Sequence, residues 1–317
     1  MTLSELRYIV AVARERHFGK AAEYCCVSQP TLSVAVKKLE QELDLVLFER
    51  GQGEVTVTPA GQRIIVHAQR TLEQVEQIRE MARQGKDQLS SPLRLAAIYT
   101  IGPYLFPGLV PLLSRRAPKM PLFIEENYTA VLSQQLKAGE QDAIIISLPF
   151  DEPGIEIQPL YREPFVILLP AGHPWAKKST IDLAELSDER VLLLGAGHCF
   201  RDQVLAACPG CLKPSSGVQG NFEGGSLETM RYMVASGLGI TVLPRTAAGI
   251  NSLPNEMLVT RPFNGKAPQR TVALAWRKSF PRPQAIEVLT EVIAAAGLDG
   301  VTSLYSGAIK SQPALTR

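Results

Sequence analysis

The chain has 317 residues, 45% of them hydrophobic and 20% charged, and carries a formal net charge of +2. That length allows two or three domains with a sizeable core, and no apolar run reaches the roughly 20 residues of a membrane span. The near-neutral balance singles out no partner, and the opening Met1-Thr2-Leu3-Ser4-Glu5-Leu6 lacks the basic and apolar regions of a secretion signal, so a cytoplasmic address with no membrane partner is expected.

Leu6, Ile9, Val10 and Ala13 recur at helical spacing, and Phe18-Gly19-Lys20-Ala21-Ala22 opens a second short helix. Val27-Ser28-Gln29-Pro30 then reads as a turn, with Ser28 as N-cap and Pro30 in the first turn of a third helix, where its missing N–H costs nothing. That helix is expected to bury Leu32, Val36, Leu39 and Leu43 and to present Pro30, Ser33, Val34 and Lys37 on its other face, with Gln29 and Thr31 at its exposed start. Small and polar side chains there suit a helix in a major groove, where base edges are read at close range. Residues 45–50 and 55–57 flank Gly51-Gln52-Gly53-Glu54, a hairpin that would make a wing with Arg50 near a phosphate. Residues 1–57 carry seven basic and eight acidic side chains, so pattern rather than charge favours DNA over a protein-binding helical module.

From Thr58-Pro59-Ala60-Gly61 a long helix is predicted to about Arg83, with Ile65, Ala68, Leu72, Val75, Ile78 and Ala82 as an apolar seam. No second helix lies nearby in sequence, so the seam is expected to meet its copy in another subunit; packing on a later domain is the alternative. The polar stretch 84–92 suits a hinge. Beyond it, apolar runs at 93–98, 122–126, 143–146, 165–169, 191–194, 240–243 and 272–276 alternate with helical stretches at 104–113, 131–138, 227–235 and 284–296, the order of an α/β protein. Periodicity is lost beyond Gly297.

Five cysteines in a reducing compartment rest as thiols, so a disulfide there would be transient and functional. An apolar run at 191–194 and a Gly195-Ala196-Gly197 turn place His198 and Cys199 at the start of a helix. Unpaired N–H groups there favour negative charge and Arg201 adds a second pull, so a depressed thiol pKa is expected at Cys199. Ionisation alone gains at most roughly thirtyfold in thiolate, so fast oxidation also needs donors for the leaving oxygen. If the nine residues from Cys199 to Cys208 are helical, the two Cα atoms stand roughly 13 Å apart, against a disulfide limit of about 7 Å. A bridge between them would require unwinding and would make a switch; two separate structural thiols are the alternative.

The helix-turn-helix with Ser28-Gln29-Pro30-Thr31-Leu32-Ser33, the wing, Thr58-Pro59-Ala60-Gly61 and Gly237-Leu238-Gly239-Ile240-Thr241-Val242-Leu243-Pro244 together resemble the LysR-type transcriptional regulators. Within that family, Gly197-His198-Cys199 with Arg201-Asp202-Gln203 and Cys208 resembles the peroxide-sensing members. The resemblance implies an α/β fold with a winged helix-turn-helix DNA-binding domain (1–58), a linker helix and hinge (59–91), a two-subdomain regulatory domain like periplasmic binding proteins (92–300) and a tail (301–317). Subdomain I would take 92–162 and 268–300, and subdomain II 163–267. It implies a peroxidatic Cys199 oxidised to a sulfenic acid and a resolving Cys208, with Thr100, Thr129, His198 and Arg270 around the peroxide. The partners it implies are double-stranded operator DNA, RNA polymerase recruited by the oxidised form, hydrogen peroxide as the signal, a glutaredoxin- or thioredoxin-type reductant, and further copies of the chain in a dimer or tetramer. No cofactor, metal or enzymatic turnover is expected. The alternative within the family is a small organic effector in the cleft between subdomains. A thiol oxidoreductase using Cys208-Pro209-Gly210-Cys211 is disfavoured by the helix-turn-helix and by the lack of a thioredoxin-like βαβ pattern there. Cys211 departs from the family pattern, either as a competitor or exchange partner or as an idle thiol. Cys25 and Cys26 read as core thiols, and His17, His67 and His173 as structural or exposed.

Overall fold

The computed structural model describes residues 1–51, 55–83, 88–212, 223–248 and 257–305, arranged in two compact units, Met1–Lys86 and Asp87–Arg317. The first unit contains α1 (Leu3–Glu15), α2 (Phe18–Tyr24), α3 (Gln29–Leu43), a two-stranded antiparallel ribbon of β1 (Phe48–Arg50) and β2 (Val55–Val57), and α4 (Pro59–Arg83). Leu6, Ile9 and Val12 of α1 and Leu32, Val36 and Leu39 of α3 are fully or almost fully buried in one cluster, as the helical spacing requires. Thr58 starts α4 by donating its hydroxyl to Val46 O (2.7 Å) and accepting from Gly61 N (2.9 Å). Gly61 has to be glycine, since a Cβ would stand 2.3 Å from Leu47 O.

The apolar seam of α4 divides. Ile65 and Ala68 are buried in the cluster of the first unit and Leu72 packs against it, whereas Val75 is half-buried and Ile78 is 62% exposed. Only the latter part is free to meet another chain, which corrects the expectation of one continuous intersubunit seam. Ala82's side chain lies outside the described residues. Cys25 is half-buried and its thiol is pushed up by burial, but Cys26 is exposed at φ 55°, so it is not a core thiol.

The second unit alternates β3 (Leu93–Ile98), α5 (Gly102–Arg116), β4 (Leu122–Asn127), α6 (Thr129–Ala138), β5 (Ala143–Ser147), β6 (Ile155–Pro170), β7 (Val191–Leu194), α7 (Cys199–Ala207), β8 (Glu223–Gly224), α8 (Leu227–Ala235), β9 (Ile240–Pro244), α9 (Arg245–Ala248), β10 (Leu258–Pro262), β11 (Gln269–Arg277), α10 (Pro283–Ala295) and β12 (Thr302–Ser303). The strands hydrogen-bond in the order β4-β3-β5-β11-β6-β9-β7-β8, with β10 and β12 also on β6. Strand β6 belongs to two layers: 155–164 pair with β11, and its last residues lie between β9 and β10. Two apolar clusters follow, one from β3, β5, β11, α5 and α10, the other from the end of β6, β7, β9, α7 and α8.

The first half of β6 escapes a search for apolar runs because it contains Pro159 and Pro164. The ladder accommodates Pro159 through a bulge, where Val272 opposes Tyr161 and Ala273 opposes Pro159. The freed Leu160 carbonyl accepts from Leu304 N at 2.8 Å, and Thr302–Ser303 pair with β6, so the segment expected as a tail from 301 opens with a strand; 306–317 lie outside the described residues. Residues 84–87 of the expected hinge lie outside them too. Its remainder is fixed, because buried Arg282 donates to the carbonyls of Gln88, Ser91 and Pro92 at 2.7–2.9 Å. Among the described residues no helix is long and apolar enough to cross a membrane.

Candidate functional site

Helix α7 starts at Cys199 with His198 as N-cap and ends at Ala207 with Cys208 as C-cap, so the thiols lie at opposite ends of a fully helical segment. Nine residues make about two and a half turns, which also puts the two on opposite faces. Cys199 packs against the first apolar cluster, and Cys208, 6% exposed, belongs to the second. Gly197, which leads into the helix, has φ +95°, and a Cβ there would touch the Tyr128 ring at 3.4 Å.

Three loops converge on this end of α7, each following the carboxyl end of a parallel strand: β3, β4 and β7. An open α/β sheet offers its ligand site at such strand ends. Tyr99 and Tyr128 contact each other edge to face with centroids 5.3 Å apart, and both contact the His198 ring, at 6.0 and 4.8 Å. The three rings stand beside Thr100, Thr129 and Cys199 in sequence, which brings those loops together. Thr129 Oγ1 and His198 Nε2 are buried without a hydrogen-bond partner in the protein, as is Gln203 Oε1. Unsatisfied buried polar atoms are costly, and these three belong to α7, its N-cap and the start of α6, whose preceding Tyr128 ring contacts His198. Burial keeps His198 below the ordinary imidazole range, against a backbone hydrogen bond to Gly225 that works the other way; the neutral ring offers a donor or an acceptor at Nε2.

Arg270 is buried and committed. Its Nε donates to Glu163 Oε2 (2.7 Å), and its Nη1 and Nη2 donate to Thr100 Oγ1 and Thr100 O (both 2.8 Å). Glu163 offsets its charge, and the other carboxylate oxygen accepts from Thr246 N and Thr246 Oγ1. Arg270 therefore fixes Thr100 and leaves the threonine its own proton to donate; its guanidinium carbon stands 5.5 Å from the Phe200 ring centroid. Arg201 donates from Nη1 to Leu194 O at 2.7 Å, tying α7 to the end of β7. Gln203 Nε2 donates to Ser147 Oγ (2.8 Å) and Leu148 O (3.3 Å), tying α7 to β5.

In the first unit, the Ser28 hydroxyl caps α3 by accepting from Thr31 N at 3.4 Å. Ser28, Gln29, Pro30, Thr31 and Lys37 are exposed, Ser33 is half-buried, and Val34 is 68% exposed. Val34 thus lies on the face of α3 opposite the buried Leu32, Val36 and Leu39. Arg50's side chain and the turn 52–54 lie outside the described residues. His17 caps α2 by accepting from Gly19 N and Lys20 N, and His173 accepts from Trp175 N, both structural tasks, while His67 is exposed.

Residues 3–62 match the model of the bacterial regulatory helix-turn-helix protein, lysR family, and residues 86–297 match the LysR substrate binding domain. The chain belongs to the LysR family. This LysR chain is 37% identical over 300 residues, 95% of its length and 97% of the relative's, to the DNA-binding transcriptional dual regulator OxyR of Escherichia coli. A full-length OxyR variant from Pseudomonas aeruginosa matches it with TM-score 0.79 at 53% identity, covering 99% of both chains. A hydrogen-peroxide-bound cysteine mutant of OxyR from Corynebacterium glutamicum matches with TM-score 0.62 at 32% identity, over 93% of this chain and 92% of that one. The LysR chain thus closely resembles OxyR.

Sequence reasoning missed Tyr99, Tyr128 and Glu163, and named Gln203 only as part of the Arg201-Asp202-Gln203 motif, without a role. The tyrosines had a signal, each standing directly before a threonine already singled out. Glu163 had none, because its partners Arg270 and Thr246 are 107 and 83 residues away.

Proposed function

We propose that the chain is a DNA-binding transcriptional regulator, mainly an activator, whose α/β unit reads hydrogen peroxide through Cys199 and is switched by a reversible Cys199–Cys208 disulfide. The observation that carries this reading is α7 itself, with one thiol beside unsatisfied buried polar atoms and the other at the far end in a different core. Cys199 attacks one peroxide oxygen and becomes a sulfenic acid, while the other oxygen leaves as hydroxide and is protonated to water. Thr100, Thr129 and His198 supply the donors that the leaving oxygen requires. Cys208 then displaces the second oxygen, and α7 unwinds because the bridge cannot span it.

Exposed Val34 and its neighbours on α3 enter the major groove, with Arg50 toward a phosphate. Self-association uses apolar surface left open on α4 at Ile78 and on edge strand β4 at Phe123 and Ile124, which are 62%, 61% and 50% exposed. RNA polymerase, a thiol reductant and a cytoplasmic address complete the reading.

The test is disulfide mapping after a near-stoichiometric peroxide pulse, with Cys208→Ser in parallel. The expected result is a Cys199–Cys208 bridge in the unaltered protein and a trapped sulfenic acid at Cys199 in the variant. An unoxidised Cys199 in both overturns the reading and leaves a small organic effector as the input.

A further inference from the structure

Cys208 has a nearer thiol than Cys199. After α7 the chain turns through a 3-10 helix, Pro209–Leu212, in which Cys211 N donates to Cys208 O at 3.1 Å. Cys211 Sγ stands 2.6 Å from Cys208 Sγ, and both side chains pack in the second apolar cluster. Residues i and i+3 of such a turn have Cα atoms within about 7 Å, a separation that a disulfide spans without moving the helix.

We propose that Cys208 and Cys211 form a second thiol–disulfide couple that ends the signal, converting the Cys199–Cys208 bridge into a Cys208–Cys211 bridge by exchange. The proposal rests on the reading of Cys199 as the peroxide-reactive thiol. Peroxide first takes two electrons from Cys199, leaving the sulfenic acid and one water. The Cys208 thiolate attacks that sulfur, the S–O bond breaks, and the hydroxide leaves as a second water. The Cys211 thiolate then attacks the Cys208 sulfur, the Cys199–Cys208 bond breaks, and Cys199 departs as thiolate. In sum, one peroxide oxidises the Cys208 and Cys211 thiols to a disulfide and gives two waters, with Cys199 returned unchanged.

The structure supplies a direction and an order. A Cys199–Cys208 bridge is incompatible with α7, whereas a Cys208–Cys211 bridge leaves α7 intact and returns Cys208 to its core, so refolding of the helix drives the exchange forward. In the reduced fold Cys211 is a poor nucleophile, because burial and then its contact with Cys208 push it up to about 12. Once Cys208 is in the bridge it is no longer a thiol sharing that contact, so one cause of the raised value is gone, while Cys211, three residues on, stays within reach of the Cys208 sulfur. The product is a refractory form: Cys199 is again a thiol, but its resolving partner is occupied until a reductant opens the second bridge.

The experiment uses the full-length protein, given one equivalent of peroxide, quenched with an alkylating agent at intervals and mapped by mass spectrometry. Unaltered protein, Cys211→Ser and Cys199→Ser are compared, with Cys211→Ala as a second replacement and circular dichroism to establish that the reduced variants are folded. The Cys199–Cys208 bridge is expected first, followed by its decay into Cys208–Cys211 with free Cys199. Both replacements of Cys211 should prolong the first bridge at least ~tenfold. Equal lifetimes with and without Cys211 overturn the proposal, as does a Cys208–Cys211 bridge that forms equally fast in Cys199→Ser. Failure of the underlying peroxide reading looks different, since no Cys199–Cys208 bridge would then appear even in Cys211→Ser.

Discussion

The two faces of α7 are built from different materials. Phe200, Val204 and Cys208 recur every four residues, and all three are nearly completely buried in the second apolar cluster. Cys199 and Gln203, also four apart, lie on the other side: one packs on the first cluster beside the ring triad, and the other hydrogen-bonds Ser147 and Leu148. The apolar face stabilises the helix, and the polar face is the one to which the proposed function assigns the chemistry. On the proposed reading, an oxidation that starts at Cys199 ends only when Cys208 leaves the apolar face, so that face would set how readily the switch moves.

The scaffold under the polar face gives the largest expected effect. Arg270→Met leaves Glu163 buried without its cation, and breaking a buried pair from one side costs about 3–5 kcal/mol. Urea unfolding should show that loss, with Thr100 freed as well. A loss below about 1 kcal/mol would mean that the pair does not organise the site.

Weakening each face of α7 in turn shows which of them holds the helix. Val204→Ala removes two methyl groups from a side chain that is 4% exposed and should destabilise reduced α7 by about 1.5–2.5 kcal/mol. Gln203→Ala removes a hydrogen bond worth about 0.5–1.5 kcal/mol. Neither interaction survives unwinding, so both changes should speed formation of the Cys199–Cys208 bridge after a fixed peroxide pulse. Val204→Ala should do so by ~tenfold or more and Gln203→Ala by several-fold. If Gln203→Ala proves the stronger, the polar face holds the helix and the assignment of the two faces reverses.

Much of this was legible in the sequence because it is local. The Ser28 cap, the faces of α3, the start of α7 at Cys199 and the alternation of apolar runs with helices each follow from spacing within about a dozen residues. The parts that were not legible depend on distant contacts. The buried Glu163–Arg270 pair, the Arg282 clamp on 88–92, the shared strand β6 and the early burial of α4's seam on α1 all join residues far apart in sequence. Cys211 falls between the two cases. Its spacing from Cys208 is plain in Cys-Pro-Gly-Cys, but only the fold places its sulfur against Cys208 on the core side of α7.

His198, at the junction of the two faces, gives the smallest expected effect. It is 5% exposed, and burial lowers its pKa from 6.5, outweighing the backbone hydrogen bond to Gly225, so the folded state disfavours the imidazolium. The sign follows from proton counting. Between the depressed folded value and an unfolded value near 6.5 the unfolded chain binds more protons, so stability rises with pH through that window. The contribution is therefore complete above the unfolded value and is lost as pH falls toward the folded one. Urea midpoints measured from neutral to mildly acidic pH should decline, and His198→Gln should flatten that decline without changing its value at neutral pH by as much as Val204→Ala does. A decline of the same slope in the variant assigns the titration to another group and removes the reason to regard His198 as a neutral donor beside Cys199.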